Sequence, residues 1–143
     1  KAFIYGMNHA LKLGADIIVN TDADNQYFGG DIAKLIQPVL DKKADIVIGN
    51  RQVETVRHFS PIKIFLQKFG SWVVGQLSGT TIPDATSGFR AYSREAALQM
   101  NVVSDFTYTI ETIISAGKKN LAIEHIPVRT NKKLRESRLF PSI

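Results

Sequence analysis

Two aspartates follow directly on a short apolar run, in the segment Ile17-Ile18-Val19-Asn20-Thr21-Asp22-Ala23-Asp24. The run comes after Gly14 and predicts a short buried strand that follows a helix. Ligand sites in open α/β sheets lie at the carboxyl ends of strands, where these carboxylates fall. Two ionised carboxylates so close together repel unless a cation lies between them. The pattern predicts a hard divalent ion, Mg²⁺ or Mn²⁺, at Asp22 and Asp24, although helix capping or Asx turns would explain the same residues.

The rest of the chain alternates between helical and strand patterns. Apolar residues at helical spacing follow Asp31, which we expect to be the N-cap of the next helix. Further strands are predicted at residues 45–49, 89–92 and 121–126, and further helices at residues 94–100 and 106–116. This alternation predicts an α/β fold with a mostly parallel sheet and helices on both faces. The length of 143 residues predicts a single domain, residues 1–143.

Composition excludes several classes of protein. Hydrophobic residues make up 44% of the chain, which is enough for an ordinary globular core. Because cysteine is absent, neither disulfides nor thiolate metal sites are possible. No apolar run approaches the roughly 20 residues that cross a bilayer. We therefore expect a soluble or surface-bound domain.

Basic residues concentrate after the last predicted strand. The net charge is +5, and one loop, residues 128–138, has Glu136 as its sole acid beside Arg129, Lys132, Lys133, Arg135 and Arg138. Such a cluster attracts an anion, although charge runs are also common on solvated faces. Residues 62–77 carry an apolar helical stripe with lysines beside it. This stripe fits either a core-facing helix or an interfacial helix resting on anionic lipid.

Four motifs along the chain resemble, in order, those of the family-two glycosyltransferases. They are Asp-Ala-Asp-Asn-Gln at residues 22–26, Gly-Asn-Arg at 49–51, Asp-Ala-Thr-Ser-Gly-Phe-Arg at 84–90 and Ile-Pro-Val-Arg-Thr-Asn at 126–131. Asn25 departs from the Gly or Leu expected there. Within the family, the chain is similar to the dolichyl-phosphate mannose synthase and polyprenyl-phosphate glycosyltransferase branch. The resemblance implies a GT-A fold, present as a fragment that lacks the N-terminal nucleotide-binding βαβ part.

The resemblance also assigns residues to the sugar donor, a GDP- or UDP-sugar. Asp24 would bind the metal directly, and Asp22 would lie close to the metal or the ribose. Gln26 would hydrogen-bond the diphosphate or a water on the metal. Arg51 would reach an anion, for which its planar guanidinium is suited, and Arg90 is a further candidate for substrate binding. For Arg90 we favour a structural role, because an arginine at a strand start often pairs with a nearby acid.

Acceptor binding is assigned to Asp84 and to the basic loop. Asp84 and Arg51 are the candidate catalytic residues, since an acid at position 84 is the usual general base of inverting transferases. A lipid phosphate needs little deprotonation at neutral pH, so we expect Asp84 to position the acceptor or the sugar hydroxyls instead. An Asx turn is its structural alternative. The loop would hold the acceptor phosphate through Arg129, Lys132, Arg135, Ser137 and Arg138.

The expected function is transfer of a hexose, mannose or glucose, to a dolichyl or polyprenyl phosphate. We expect the reaction to be inverting and metal-dependent, and to take place at the cytoplasmic face of a membrane. An alternative is a family-two enzyme that acts on a saccharide hydroxyl, where Asp84 would be a true base. A non-enzymatic basic module for membrane or nucleic acid is another. We expect no nucleic-acid partner, because the aromatic residues are not interleaved with the basic ones. Phosphoryl transfer would need a Gly-rich phosphate loop or a nucleophile that the sequence does not show.

Overall fold

A computed structural model describes residues 2–52, 69–73, 75, 83–100, 102 and 108–131. Its helices are α1 (Ala2–Lys12), α2 (Ile32–Leu40), α3 (Arg94–Gln99) and α4 (Tyr108–Lys118), and a 3-10 turn, Gly29–Asp31, precedes α2. Residues 69–73 are also helical. The strands are β1 (Ile17–Asn20), β2 (Ile46–Asn50), β3 (Arg90–Ser93) and β4 (Ile123–Pro127). Each strand overlaps a segment predicted as a strand from the sequence.

The four strands form one mixed sheet in the order β1-β3-β2-β4. β2 and β4 are parallel, whereas β3 is antiparallel to both β1 and β2. The predicted α/β fold is therefore confirmed, with β1, β2 and β4 running in one direction and β3 running against them. Because β3 is reversed, Arg90 at its beginning pairs with Asn20 at the end of β1. The polar ends of three strands consequently meet at one edge of the sheet.

Side chains that point alternately to the two faces of the sheet pack in two hydrophobic clusters, one on each face. Ile46, Ile48 and Tyr92 pack in the cluster that includes residues of α1, α3 and α4. Val47 and Ala91 pack in the other cluster, together with residues of α2. Helices thus cover both faces, as the strand pattern predicts. β1 is only half-buried along its length, not buried as predicted.

Asp31 occupies the predicted N-cap position of α2, but its carboxylate makes no capping hydrogen bond. The side chain is instead fully buried, and it accepts from Arg129 N at 2.8 Å and Arg129 Nη2 at 2.6 Å. Lys34 Nζ lies 3.2 Å from the same carboxylate. Hydrogen bonds from Arg129, with help from Lys34, hold the pKa of Asp31 well below its ordinary value despite burial. This ion pair ties the start of α2 to the segment after β4.

We predict that Asp31→Asn lowers the midpoint of thermal unfolding by roughly 5 °C at pH 7, because it removes the buried carboxylate that accepts the hydrogen bonds of Arg129. A folded-state pKa below the unfolded value stabilises the fold above about pH 4, and this stabilisation is lost as the pH falls further. The difference from wild type should therefore shrink below pH 4. Asp41→Asn is the matched control, since Asp41 makes a surface pair with Lys43 at 3.6 Å. Equal effects of the two variants would contradict the prediction.

Candidate active site

The candidate site lies where β1 and β2 end and β3 begins. Its parts are the turn at residues 21–26, residues 51–52, the loop at residues 84–89 and the first turn of α4. Asn20 Nδ2 donates to Gly88 O at 2.8 Å, which joins the turn after β1 to the loop before β3. The first three sequence motifs therefore meet at one place, although they lie far apart in the chain.

Asp22 lies directly against the backbone of Gly88. A Cβ atom added to Gly88 would lie 2.7 Å from Asp22 Cγ and closer still to its carboxylate oxygens. The absence of a side chain at position 88 is what allows this approach. Partial burial and the negative charge of Asp24 raise the pKa of Asp22, while Arg51, Tyr108 and Arg90 act in the opposite direction. The carboxylate thus lies against the Gly88 backbone and beside a second acid, although the residue as a whole is exposed.

Asp24 forms the Asx turn that its sequence allows, and its binding of a metal stays a prediction. Asp24 Oδ1 accepts a hydrogen bond from Gln26 N at 3.0 Å, which forms an Asx turn. The negative charge of Asp24 also contributes to the raised pKa of Asp22. Within the described parts of the chain, no group of three His, Cys, Asp or Glu side chains could hold a metal. Two carboxylates nevertheless fit Mg²⁺ or Mn²⁺, because such ions keep waters and share the phosphates of a substrate. The donor atoms are hard oxygens, as these ions prefer.

The two candidate catalytic residues form a forked ion pair. Arg51 Nε donates to Asp84 Oδ2 at 2.8 Å, and Arg51 Nη2 donates to Asp84 Oδ1 at 2.9 Å. The Asp84 side chain is 1% exposed and that of Arg51 is 10% exposed. Burial alone would lower the pKa of Arg51, but Asp84 outweighs it and the pKa is raised. Both oxygens of Asp84 are therefore engaged inside the protein.

The rest of the Arg51 guanidinium faces the motif of residues 22–26 and the side chain of Thr86. Its Nη1 donates to Gln26 Oε1 at 3.4 Å, and its Nη2 also donates to Thr86 Oγ1 at 2.7 Å. Arg51 thus links three of the sequence motifs through side-chain contacts. Gln26 is half-buried in this arrangement rather than an exposed turn residue.

Arg90 lies beneath the site and has no exposed surface. The acid partner expected for it is not found among the described residues. Its guanidinium donates at 2.7–2.8 Å to four neutral oxygens, namely Ser87 O, Ala85 O, Thr109 O and Thr112 Oγ1. This arrangement supports the structural role expected for Arg90 and leaves no surface for direct contact with a substrate.

The segment after β4 is hydrogen-bonded to Gln26 and Tyr27, at the end of the turn that follows β1. Asn131 N donates to Gln26 O at 2.8 Å, and Asn131 Nδ2 donates to Tyr27 O at 2.9 Å. The Arg129 guanidinium lies 4.1 Å from the centroid of the Phe28 ring, besides its ion pair with Asp31. Arg129 is therefore held against Phe28 and Asp31, whereas Lys132, Arg135, Ser137 and Arg138 lie outside the described residues.

Several residues of the site carry no signal in the sequence. The Tyr27 hydroxyl accepts from Gly88 N at 3.1 Å and lies 3.4 Å from Ser87 Oγ. Tyr108, in the first turn of α4, has its hydroxyl 3.4 Å from Asp22 Oδ1. Asn20 contributes a side-chain amide. Each acts through partners distant in the chain, which residue patterns do not reveal.

Comparison with known proteins places this arrangement in a family. Residues 1–100 match the family model described as glycosyl transferase family 2. The chain belongs to the family-two glycosyltransferases. The expectation that it is part of such an enzyme is confirmed, and a purely non-enzymatic binding module is disfavoured.

Named relatives lie in the branch expected from the motifs. The chain is 34% identical to a UDP-N-acetylglucosamine–dolichyl-phosphate N-acetylglucosaminyltransferase of Methanococcus voltae, over 90% of this chain and 53% of the relative. It is 27% identical to a polyprenol monophosphomannose synthase of Mycolicibacterium smegmatis, over 99% of this chain and 56% of the relative. The chain therefore spans about half the length of these relatives. Within the described ranges, no helix has the length and apolar character needed to cross a bilayer.

We predict that Gly88→Ala displaces the Asp22 carboxylate at little cost in stability. The added methyl group would overlap the carboxylate, and a short side chain at the surface can rotate into water. The midpoint of thermal unfolding should fall by less than about 3 °C, while a crystal structure shows Asp22 in a new rotamer. Gly6→Ala in α1 is the control, since nothing lies within 4 Å of its added Cβ. An unmoved Asp22 in the Gly88→Ala variant would contradict the prediction.

Proposed function

We propose that the full-length protein transfers a sugar from a nucleotide-sugar donor to a polyprenyl or dolichyl phosphate. The observation that carries this proposal is the buried fork between Arg51 and Asp84, which engages both oxygens of the one acid that the motifs offer as a general base. A reaction that needs no strong base fits such a site. The names of the relatives, which include acceptors of this class, support the same choice.

The chemistry of the acceptor removes the need for a base. A phosphate monoester has its second pKa at about 6, so at neutral pH its oxygen is already a nucleophile. In a single displacement, this oxygen forms a bond to the anomeric carbon while the bond to the nucleoside diphosphate breaks. The configuration at that carbon inverts, and the electron pair of the broken bond leaves with the diphosphate.

Asp22 and Asp24 would hold a Mg²⁺ or Mn²⁺ ion, which would neutralise charge on the leaving diphosphate. Gln26 lies between this turn and Arg51, with its amide oxygen 3.4 Å from Arg51 Nη1. We assign the side chains of Gln26 and Arg51 to the diphosphate oxygens. Asp84 fixes the plane of the Arg51 guanidinium, so its role is to position a cation. Arg90 has a structural role, because its hydrogen bonds join the loop before β3 to α4.

The basic segment of residues 128–138 would bind the acceptor phosphate. Arg129, with 60% of its side chain exposed, is the described basic residue of this segment, and the proposal extends to Lys132, Arg135, Ser137 and Arg138. Basic residues near an anionic leaflet attract it by about 1 kcal/mol each. Phe69 and Trp72 are more than half exposed and stack at 6.0 Å between ring centroids, which suits contact with a lipid surface. We place the reaction at the cytoplasmic face of the membrane.

The donor sugar is left open between mannose, glucose and N-acetylglucosamine. We expected mannose or glucose from the motifs, but one relative is named for N-acetylglucosamine transfer and another for mannose. Both UDP- and GDP-sugars therefore belong in the assay. A family-two enzyme that acts on a saccharide hydroxyl is the second candidate function.

We predict that full-length protein moves labelled sugar from one of these donors into organic-extractable lipid when polyprenyl phosphate and Mn²⁺ are present. Chelation should remove the activity, because the leaving diphosphate then lacks its counter-ion. Asp24→Asn should lower the rate at least about 100-fold, whereas Asp41→Asn on the surface should leave it unchanged. Label that enters only a saccharide acceptor would favour the second candidate function.

We predict that Asp84→Asn lowers kcat/KM without changing the shape of the pH profile. The amide cannot hold the Arg51 fork as the carboxylate does, so both substrates should bind in a less ordered site. A loss of about 10- to 100-fold is expected. The dependence of kcat/KM on pH keeps its shape because the nucleophile is the acceptor phosphate, which Asp84 does not deprotonate. Disappearance of a limb on the acid side of the profile, with substrate binding unchanged, would instead identify Asp84 as a general base.

A further inference from the structure

The Asn20 side chain uses its two amide hydrogens in two different directions. One is donated to Gly88 O at 2.8 Å, and the other to the Tyr108 hydroxyl oxygen at 3.2 Å. A carbonyl oxygen can only accept, so the group facing Gly88 is the amide nitrogen. Asn20 ends β1, two residues before Asp22. Its side chain thus holds both the backbone that Asp22 touches and the phenol beside Asp22.

The direction of the Tyr108 hydroxyl follows from these bonds. Its oxygen accepts from Asn20 Nδ2, so its hydrogen is available for another acceptor. Asp22 Oδ1 lies 3.4 Å away, and an ionised carboxylate can only accept. Asp22 is therefore held between Gly88 on one side and this donor on another.

Tyr108 is itself fixed by neighbours on two elements. Its ring stacks on Phe3 of α1 with centroids 4.5 Å apart. Thr112 Oγ1 donates to Tyr108 O at 2.8 Å and accepts from the buried Arg90 at 2.8 Å. The phenol therefore has little freedom to leave Asp22.

We propose that Asn20 and Tyr108 are positioning residues that hold the Asp22 carboxylate in the orientation that binds a divalent cation. This inference rests on the proposed function, because it assumes that Asp22 and Asp24 form the cation site. Neither residue needs to touch the ion or the substrate. Their contribution is to keep Asp22 against Gly88 and to prevent its rotation into water.

The test is Mn²⁺ binding to the full-length protein, measured by water-proton relaxation in the presence of a nucleoside diphosphate, whose phosphates would complete the ligands of the ion. Tyr108→Phe keeps the ring stack and removes the hydroxyl, and it should weaken Mn²⁺ binding about tenfold, as expected for one hydrogen bond to a charged group. Its thermal midpoint should stay within about 2 °C of wild type. Tyr5→Phe is the matched control, because Tyr5 is 72% exposed on α1. It should bind Mn²⁺ as wild type does.

A second variant tests whether the two residues act together. Asn20→Ala should weaken binding at least as much as Tyr108→Phe, and the double variant should lose less than the product of the two single effects. Raising Mn²⁺ should restore the turnover of Tyr108→Phe, so the defect lies in the apparent KM for the metal and not in kcat. We expect Asp24→Asn to abolish Mn²⁺ binding, which would locate the bound ion at Asp24.

The possible failures are distinguishable. If wild type binds Mn²⁺ at Asp24 and Tyr108→Phe binds equally well, the positioning role is overturned while the cation site stands. Independent, multiplicative effects of Asn20 and Tyr108 would overturn their joint action. If wild type shows no binding that Asp24→Asn removes, the cation site of the proposed function and the inference fail together.

Discussion

The arrangement of the site depends on one buried cation, the guanidinium of Arg90. Removing a charge from water is costly unless hydrogen bonds replace the lost solvation. The Arg90 guanidinium donates four hydrogen bonds to neutral oxygens. These bonds join the loop before β3 to the first turn of α4. Without them, Gly88 and Tyr108 would lose the common frame that places both against Asp22. Because no carboxylate among its bonded partners cancels its charge, Arg90 also favours the ionised form of Asp22 from below.

The other arginines of the motifs are held in ion pairs of different character. Arg51 and Asp84 are both buried and balance each other, so this pair orients more than it attracts. Asp31 is shared between Arg129 and Lys34, both largely exposed, which leaves that cluster with one positive charge in excess. An incoming anion would therefore meet a net attraction beside Arg129. At Arg51 it would meet a preorganised but largely neutralised hydrogen-bond donor.

Local features of the chain were predictable, and contacts between distant segments were not. The strand before Asp22 and the Asx turn of Asp24 depend on neighbours in sequence, and both follow from the pattern. Asp31 was placed correctly at a helix start, but its partner Arg129 is 98 residues away and decides its role. Likewise, Asp22 and Tyr108 are 86 residues apart. Periodicity specifies which face of an element is buried, but it carries no information on which loops meet at the edge of a sheet.

The burial of Asp84 bears directly on the choice between the two candidate reactions. A general base must come within hydrogen-bonding distance of the proton that it removes. Asp84 could do so only by opening its fork with Arg51, which would leave a buried charge without its partner at a cost of about 3–5 kcal/mol. A lipid phosphate arrives already ionised and requires no such opening. The electrostatics of the folded chain are therefore better matched to an anionic acceptor than to a neutral saccharide hydroxyl.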